Sequence, residues 1–266
     1  MKDSIRYPVV LFIVCAAAGL ALSATFALTY ETISQKDKQK EAKAVISALW
    51  NVETPEGTTW ANFTPVKADP HVYVAYADPQ KTSVLGYAAI GEAAGYSSTV
   101  KVMLGLKPEG KGQYRVLGIK VVAQQETPGL GTRVNDVYTK DTLWSAIASM
   151  FTADTREKAV ETPAIKAAAQ GLGVAPGAFP ARPAFQQQFA GKLISVQNGK
   201  ASGLALDKSQ WSKVQAGEFP QDEHTVAGMT GATISSTAVI GAICNAAVKI
   251  DKALHAETAT PPQAEK

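Results

Sequence analysis

Residues Val9 to Leu28 form a nearly continuous apolar run. It is about 20 residues long, which at 1.5 Å per residue of helix matches a hydrocarbon core of about 30 Å. The pattern predicts a transmembrane helix. Lys2 and Arg6 ahead of the run and Thr25-Phe26-Ala27 near its end also fit a cleaved signal peptide, although the run is longer than the usual apolar region of such a peptide. From Thr32 to Trp50 helix formers dominate, with Val45, Ile46, Leu49 and Trp50 gathered at the end, which predicts a solvated stalk helix entering a domain.

Short runs rich in β-branched and aromatic residues then follow at Val72–Tyr76, Val84–Ile90, Ser98–Leu106 and Tyr114–Ala123, divided by Gly, Pro and Asp. They predict an antiparallel sheet rather than βαβ units. The segment from Asp141 to Gln188 reads as helix followed by loop, and a strand signal returns at Leu193–Val196. A last helix is predicted from Ile234 to Leu254, with Ile240, Ile243, Ala247, Ile250 and Leu254 on one face. The polar, Pro-containing tail Glu257–Lys266 predicts disorder. The pattern as a whole predicts an α+β fold, a largely antiparallel sheet with flanking helices and one N-terminal transmembrane helix. Its expected divisions are an anchor over 1–30, a stalk over 31–50, a domain over 51–256 with an insertion-like segment at 141–188, and a tail over 257–266.

Charge and composition narrow the chemistry. Among 266 residues, 26 basic and 23 acidic side chains leave +3, and no basic run interleaved with aromatics would follow a phosphate backbone, so nucleic acid is not an expected partner. Cys15 lies in the apolar run and Cys244 in the last helix; no CxxC or CxxCH occurs. His71, His224 and His255 are scattered without HxxxH or HExxH spacing, so no metal site is expected. Redox chemistry on this chain requires an organic cofactor. Lys36, Lys38, Lys40 and Lys43 follow the apolar run while only Lys2 and Arg6 precede it, so loop charge does not fix its orientation.

The densest candidate chemistry is Met229-Thr230-Gly231-Ala232-Thr233-Ile234-Ser235-Ser236-Thr237, small residues and hydroxyls just ahead of the last helix. The first N–H groups of a helix lack internal partners and the macrodipole adds partial positive charge, so such a junction favours a phosphate. An ordinary N-cap uses the same residue types. Upstream, Glu126-Thr127-Pro128-Gly129-Leu130-Gly131 is a tight turn after a strand, either structural or part of a site. Gly171-Leu-Gly173-Val-Ala-Pro-Gly177 is one residue too long for a dinucleotide loop and follows a helical pattern, which argues against NADH there. Tyr96, Trp144 and Trp211 are aromatic candidates for stacking or for the core.

Thr230-Gly231-Ala232-Thr233, continued by Ile234-Ser235-Ser236, resembles the Ser/Thr-Gly-Ala-Thr flavinylation motif of FMN-binding domains. Gly91-Glu-Ala-Ala-Gly95-Tyr96, Glu126-Thr-Pro-Gly-Leu-Gly131 and Phe189-Ala-Gly-Lys192 resemble three further signatures of that family in the same order. The family is that of the G subunit of the Rnf electron-transport complex and of the C subunit of the sodium-pumping NADH:quinone reductase. The resemblance implies FMN joined through its phosphate to the Thr233 hydroxyl by a flavin transferase. It also implies assistance from Thr230, Gly231, Ala232, Ser235 and Ser236, and a flavin ring lying against Glu126, Thr127, Gly129 and Leu130.

The resemblance further implies an electron-relay component of an Rnf-type membrane complex, single-pass in the inner membrane with its domain on the periplasmic side. The alternatives are the C subunit of the quinone reductase and a non-redox membrane-anchored binding or assembly module of the same fold. The chain departs from the family pattern at Ala227, where Asp is usual, with Asp222 and Glu223 a few residues earlier, and in the long stretch between Gly131 and Phe189.

Overall fold

A computed structural model of the protein describes residues 2–49, 62–66, 68–76, 80–135 and 183–259. The chain divides into two compact units, Met1–Glu41 and Ala42–Lys266. Helix α1, Lys2–Ala48, joins the expected membrane run and stalk into one element. Within the first unit the apolar side chains of that run are exposed, and the helix is long and apolar enough to cross a membrane. The last helix passes the same test of length and composition, but half of it is buried against the protein itself.

In the second unit a seven-stranded sheet runs β1 to β7 in sequence order. The strands are β1 (Asn62–Val66), β2 (Asp69–Tyr76), β3 (Val84–Ala94), β4 (Thr99–Gly110), β5 (Gln113–Ala123), β6 (Leu193–Gln197) and β7 (Lys200–Ser202). Every neighbouring pair is antiparallel. The fold is therefore α+β with a largely antiparallel sheet, as the short β-branched and aromatic runs predict. Short helices α2 (Ala184–Gln187) and α3 (Trp211–Gln215) flank it, and β8 (Ala205–Asp207) pairs in parallel with β9 (Thr225–Ala227). Helix α4, Thr233–Ala259, closes the fold.

Both faces of the sheet are covered along its middle, which explains runs of consecutive apolar residues such as Val102-Met103-Leu104. Val72, Val74, Ala89, Val102, Leu104, Val116 and Ile119 point to the face packed by α4, through Val239, Ala242, Ile243, Ala246 and Ile250. The positions Ala75, Leu85, Ala88, Met103 and Leu117 on the opposite face meet the end of α1, Ala44 to Ala48, and Leu49 just after it. Of the expected stalk residues, Val45, Ile46 and Leu49 are fully buried there, and Trp50 lies outside the described residues.

The strands expected at 72–76, 84–90, 98–106, 114–123 and 193–196 are all present, and most run longer than their apolar cores suggest. Strands β1, β7, β8 and β9 have no counterpart among the predicted runs; the last three have three residues each, too few for an alternation to register. α4 extends to Ala259, past the Glu257 expected to begin a tail, because adding residues to a formed helix costs little. The helix-and-loop expectation for 141–188 lies outside the described residues up to residue 182, and the tail from 260 likewise.

Candidate functional site

Three segments distant in sequence meet around one cavity of about 590 Å³. The turn between β3 and β4 contributes Tyr96; the turn leaving β5 contributes Glu126, Thr127, Leu130 and Gly131; the start of α4 contributes Gly231 to Ser235. Its volume is that of an ordinary small-molecule site, about 300–1,000 Å³. Tyr96, Leu130 and Ile234 are 70%, 44% and 53% exposed, so the mouth carries an apolar rim.

Glu126 joins the three segments. Its carboxylate accepts the backbone N–H groups of Tyr96 at 3.1 Å and of Ser97 and Ser98 at 3.2 Å. On the other side it accepts the Ser235 hydroxyl at 2.5 Å. The residue is only 4% exposed. Burial alone would raise its pKa, but donation from Ser235 and from the N–H groups of Tyr96, Ser97 and Ser98 outweighs it and holds the carboxyl below the usual glutamate range. The close approach depends on Gly131, because a Cβ there would stand 2.5 Å from both Glu126 Cβ and Ser235 Oγ.

The turn 126–131 is fixed from within. Leu130 N–H donates to the Thr127 carbonyl at 3.2 Å and Gly129 N–H to the Thr132 hydroxyl at 3.0 Å, while Thr127 Oγ1 reaches Ser97 Oγ at 3.5 Å. Gly129 itself does not line the cavity.

At the start of α4 the chain turns through Gly231 at φ +79°, a left-handed conformation favouring glycine. The carbonyl of Ala232 accepts the Ser236 N–H at 3.0 Å, which makes Ala232 the N-cap. Alanine has no side-chain acceptor for the exposed N–H groups of the first turn, so the cap that Ser, Thr or Asp usually provides is lacking. Thr233, the first helical residue, is half-buried on the cavity wall, and its hydroxyl has no partner among the described residues. Ser236 is buried and points the other way, donating to the Ala232 carbonyl at 3.0 Å and accepting Met229 N–H at 3.1 Å. Thr230 is exposed and outside the cavity wall.

The candidate residues thus converge, apart from Thr230, Gly129 and Ser236. Tyr96 is at the mouth, Trp211 packs edge-on to Phe185 in the core, and Trp144 lies outside the described residues.

Residue types alone miss the backbone donors of Ser97 and Ser98, and also Gln188, whose amide accepts Ala227 N–H at 2.7 Å and donates to Ala227 O at 3.1 Å. Neither carries a sequence signal, since backbone amides are anonymous and Gln188 ends a run of three glutamines. The carboxylates near Ala227 are occupied: Asp222 accepts His224 N–H at 2.9 Å and the Thr225 hydroxyl, and Glu223 pairs with Arg115 at 3.0 Å.

Residues 95–248, more than half of the chain and all three walls of the cavity, match the FMN-binding domain family. The chain belongs to that family. The FMN-binding domain is similar to the G subunit of the ion-translocating oxidoreductase complex of Vibrio cholerae. That match is 32% identical over 130 residues and covers 46% of this chain and 57% of the relative. It is also similar to the G subunit of the Na(+)-translocating ferredoxin:NAD(+) oxidoreductase complex of Acetobacterium woodii, 25% identical over 144 residues, covering 52% and 68%. The chain thus spans a little over half the length of the Vibrio cholerae relative. The C subunit of the Na(+)-translocating NADH-quinone reductase from Parabacteroides distasonis aligns at 16% identity and TM-score 0.41, covering 82% of this chain and 94% of that one. NqrC of Shewanella oneidensis aligns at 16% identity and TM-score 0.38, covering 76% and 75%.

The residues present fit FMN. An uncapped helix start suits a phosphate, and an open cavity with an apolar rim suits a flat aromatic ring.

Proposed function

We propose that this FMN-binding domain carries its flavin covalently, as a phosphoester on the Thr233 hydroxyl, and relays electrons within an Rnf-type ion-translocating complex. The observation that carries the reading is the position of Thr233. Its hydroxyl is free of partners among the described residues, lies on the cavity wall, and opens a helix whose N-cap lacks a side-chain acceptor. A phosphate there receives the N–H groups of the first turn and the favourable end of the helix dipole. Tyr96, Leu130 and Ile234, with Thr127 and Glu126 on the wall, are the residues that would hold a ring leading from it.

The Rnf assignment rests on the two relatives from ion-translocating complexes, and the membrane anchor on the length and apolar character of α1. On this reading the protein is single-pass in the inner membrane, its domain is periplasmic, and a flavin transferase matures it. The bound flavin supplies one-electron chemistry; the protein contributes position, retention and electrostatic surroundings.

The test is mass spectrometry of the full chain co-produced with a flavin transferase. The FMN increment is expected on the peptide carrying Thr233. Thr233→Ala abolishes it, and Thr230→Ala reduces it less. An increment on Thr230, Ser235 or Ser236 instead, or none on the wild type, overturns the reading.

A further inference from the structure

Five hydroxyls lie within eight residues at the start of α4: Thr230, Thr233, Ser235, Ser236 and Thr237. Modification of one of them requires the others to be refused. Burial and pairing dispose of Ser236, whose hydroxyl both donates and accepts inside the turn. Thr230 and Thr237 are exposed but do not line the cavity. Thr233 and Ser235 both line it, two positions apart at the same helix end, so the N-terminal amides and dipole favour a phosphate on either.

What separates these two is Glu126. The Ser235 side chain is buried, the residue being 2% exposed, and its hydroxyl donates to Glu126 Oε2 at 2.5 Å. The carboxylate cannot swing aside, because the N–H groups of Tyr96, Ser97 and Ser98 hold it. A carboxylate beside a serine hydroxyl sharpens its nucleophilicity only where an electrophile can approach. Here the electrophile is a phosphate, itself anionic, and the carboxylate both covers the oxygen and repels the phosphate.

We propose that Glu126 is a specificity-determining residue that masks the Ser235 hydroxyl and so directs the flavin phosphate to Thr233. The inference rests on Thr233 being the acceptor. The donor belongs to the class of flavin dinucleotides. The acceptor Oγ–P bond forms, the pyrophosphate P–O bond breaks, and the nucleoside monophosphate leaves with the electron pair. The hydroxyl proton passes to a base of the transferase.

The experiment localises the FMN increment by peptide mass spectrometry in full-length chains co-produced with a flavin transferase. Wild type is expected to carry it on Thr233, with no more than a trace on Ser235. In Glu126→Ala the share on Ser235 rises at least about tenfold over wild type, the size of effect a modest like-charge barrier produces. Thr233→Ala remains unmodified, whereas Thr233→Ala/Glu126→Ala is modified on Ser235.

Should alanine at 126 fail to fold, Glu126→Gln decides, since it keeps the size and one acceptor while removing the charge. Folded Glu126 variants modified only on Thr233 overturn the proposal. In the wild-type chain the Ser235 hydroxyl proton should exchange slowly in NMR; exchange as fast as a free serine hydroxyl overturns it without any variant. Loss of the increment from Thr233 with Glu126 intact is a distinct result. It removes the functional reading and this proposal with it.

Discussion

Gly91 of β3 lies directly beneath the backbone of Ala242 in α4: a Cβ on the glycine would stand 1.9 Å from the Ala242 carbonyl oxygen and 2.7 Å from the Ala246 nitrogen. The helix therefore rests on the sheet backbone to backbone, and Asn245 Nδ2 adds a hydrogen bond to the Glu92 carbonyl at 2.8 Å. Because α4 begins at Thr233, this contact fixes how far the candidate acceptor stands from the β3–β4 turn. Gly91→Ala must push the helix away, and overpacking of this kind costs about 3 kcal/mol. A drop in thermal unfolding temperature, with reduced flavin attachment, is the expected outcome, measured by calorimetry and by in-gel flavin fluorescence.

Glu126 sets a pH dependence with a definite sign. Its folded pKa is depressed, so its contribution to stability is present above the unfolded glutamate pKa of about 4.3 and is lost as pH falls through the lower folded value. Denaturant titrations between neutral pH and about pH 3 should show stability falling only in the acid part of that range. Glu126→Gln should flatten that part of the curve relative to wild type.

The same carboxylate places a fixed negative charge on the cavity wall. In chains attached through Thr233, Glu126→Gln should raise the flavin midpoint potential, on the order of tens of millivolts, because a negative charge disfavours adding electrons nearby. Leu130→Ala should shift the visible spectrum by opening the rim to water. Spectroelectrochemistry checks both, and unchanged potentials and spectra would return the 126–131 turn to a purely structural role.

The boundary of the domain lies within α1. Val45, Ile46 and Leu49 are fully buried against the sheet, each worth about 1.5–3 kcal/mol of burial. A fragment starting at residue 31 should therefore fold and stay soluble without the apolar run. One starting at residue 51 should be less stable by about 5 kcal/mol or aggregate. Size-exclusion chromatography and urea unfolding of the two fragments distinguish these outcomes.

The sequence is informative where one physical signal dominates. The apolar, β-branched run around Val100, Val102, Leu104 and Leu106, or helical spacing in Ile243, Ala247 and Ile250, needs only local pattern to be read. The hydroxyl-rich junction at 229–237 is legible through residue type and its place before a helix. What cannot be read is pairing. Nothing in Glu126 announces that its carboxylate gathers three amides of the 96–98 turn and the Ser235 hydroxyl, since the partners lie 28 to 109 positions away. Strand β9 is invisible for a related reason: its three residues pair with β8 on one side, and Ala227 is completed by a side chain.

That side chain is Gln188, buried at 2% exposure, which satisfies both backbone groups of Ala227 as a neighbouring strand would. Lys192 adds to the same tether, donating to the carbonyls of Pro220 and Asp222. The stretch leading to Thr233 thus borrows its shape from Gln188, 39 positions ahead of Ala227, and the stretch after it from Glu126, 109 positions ahead of Ser235. Closing loops of this length comes before the contacts that reward it, so the turn before α4 is expected to reach its final form late in folding. Were Thr233 the acceptor, as proposed above, a transferase reading the finished turn rather than its four residues would pass over nascent and misfolded chains. On that proposal the modification would act as a record of completed folding.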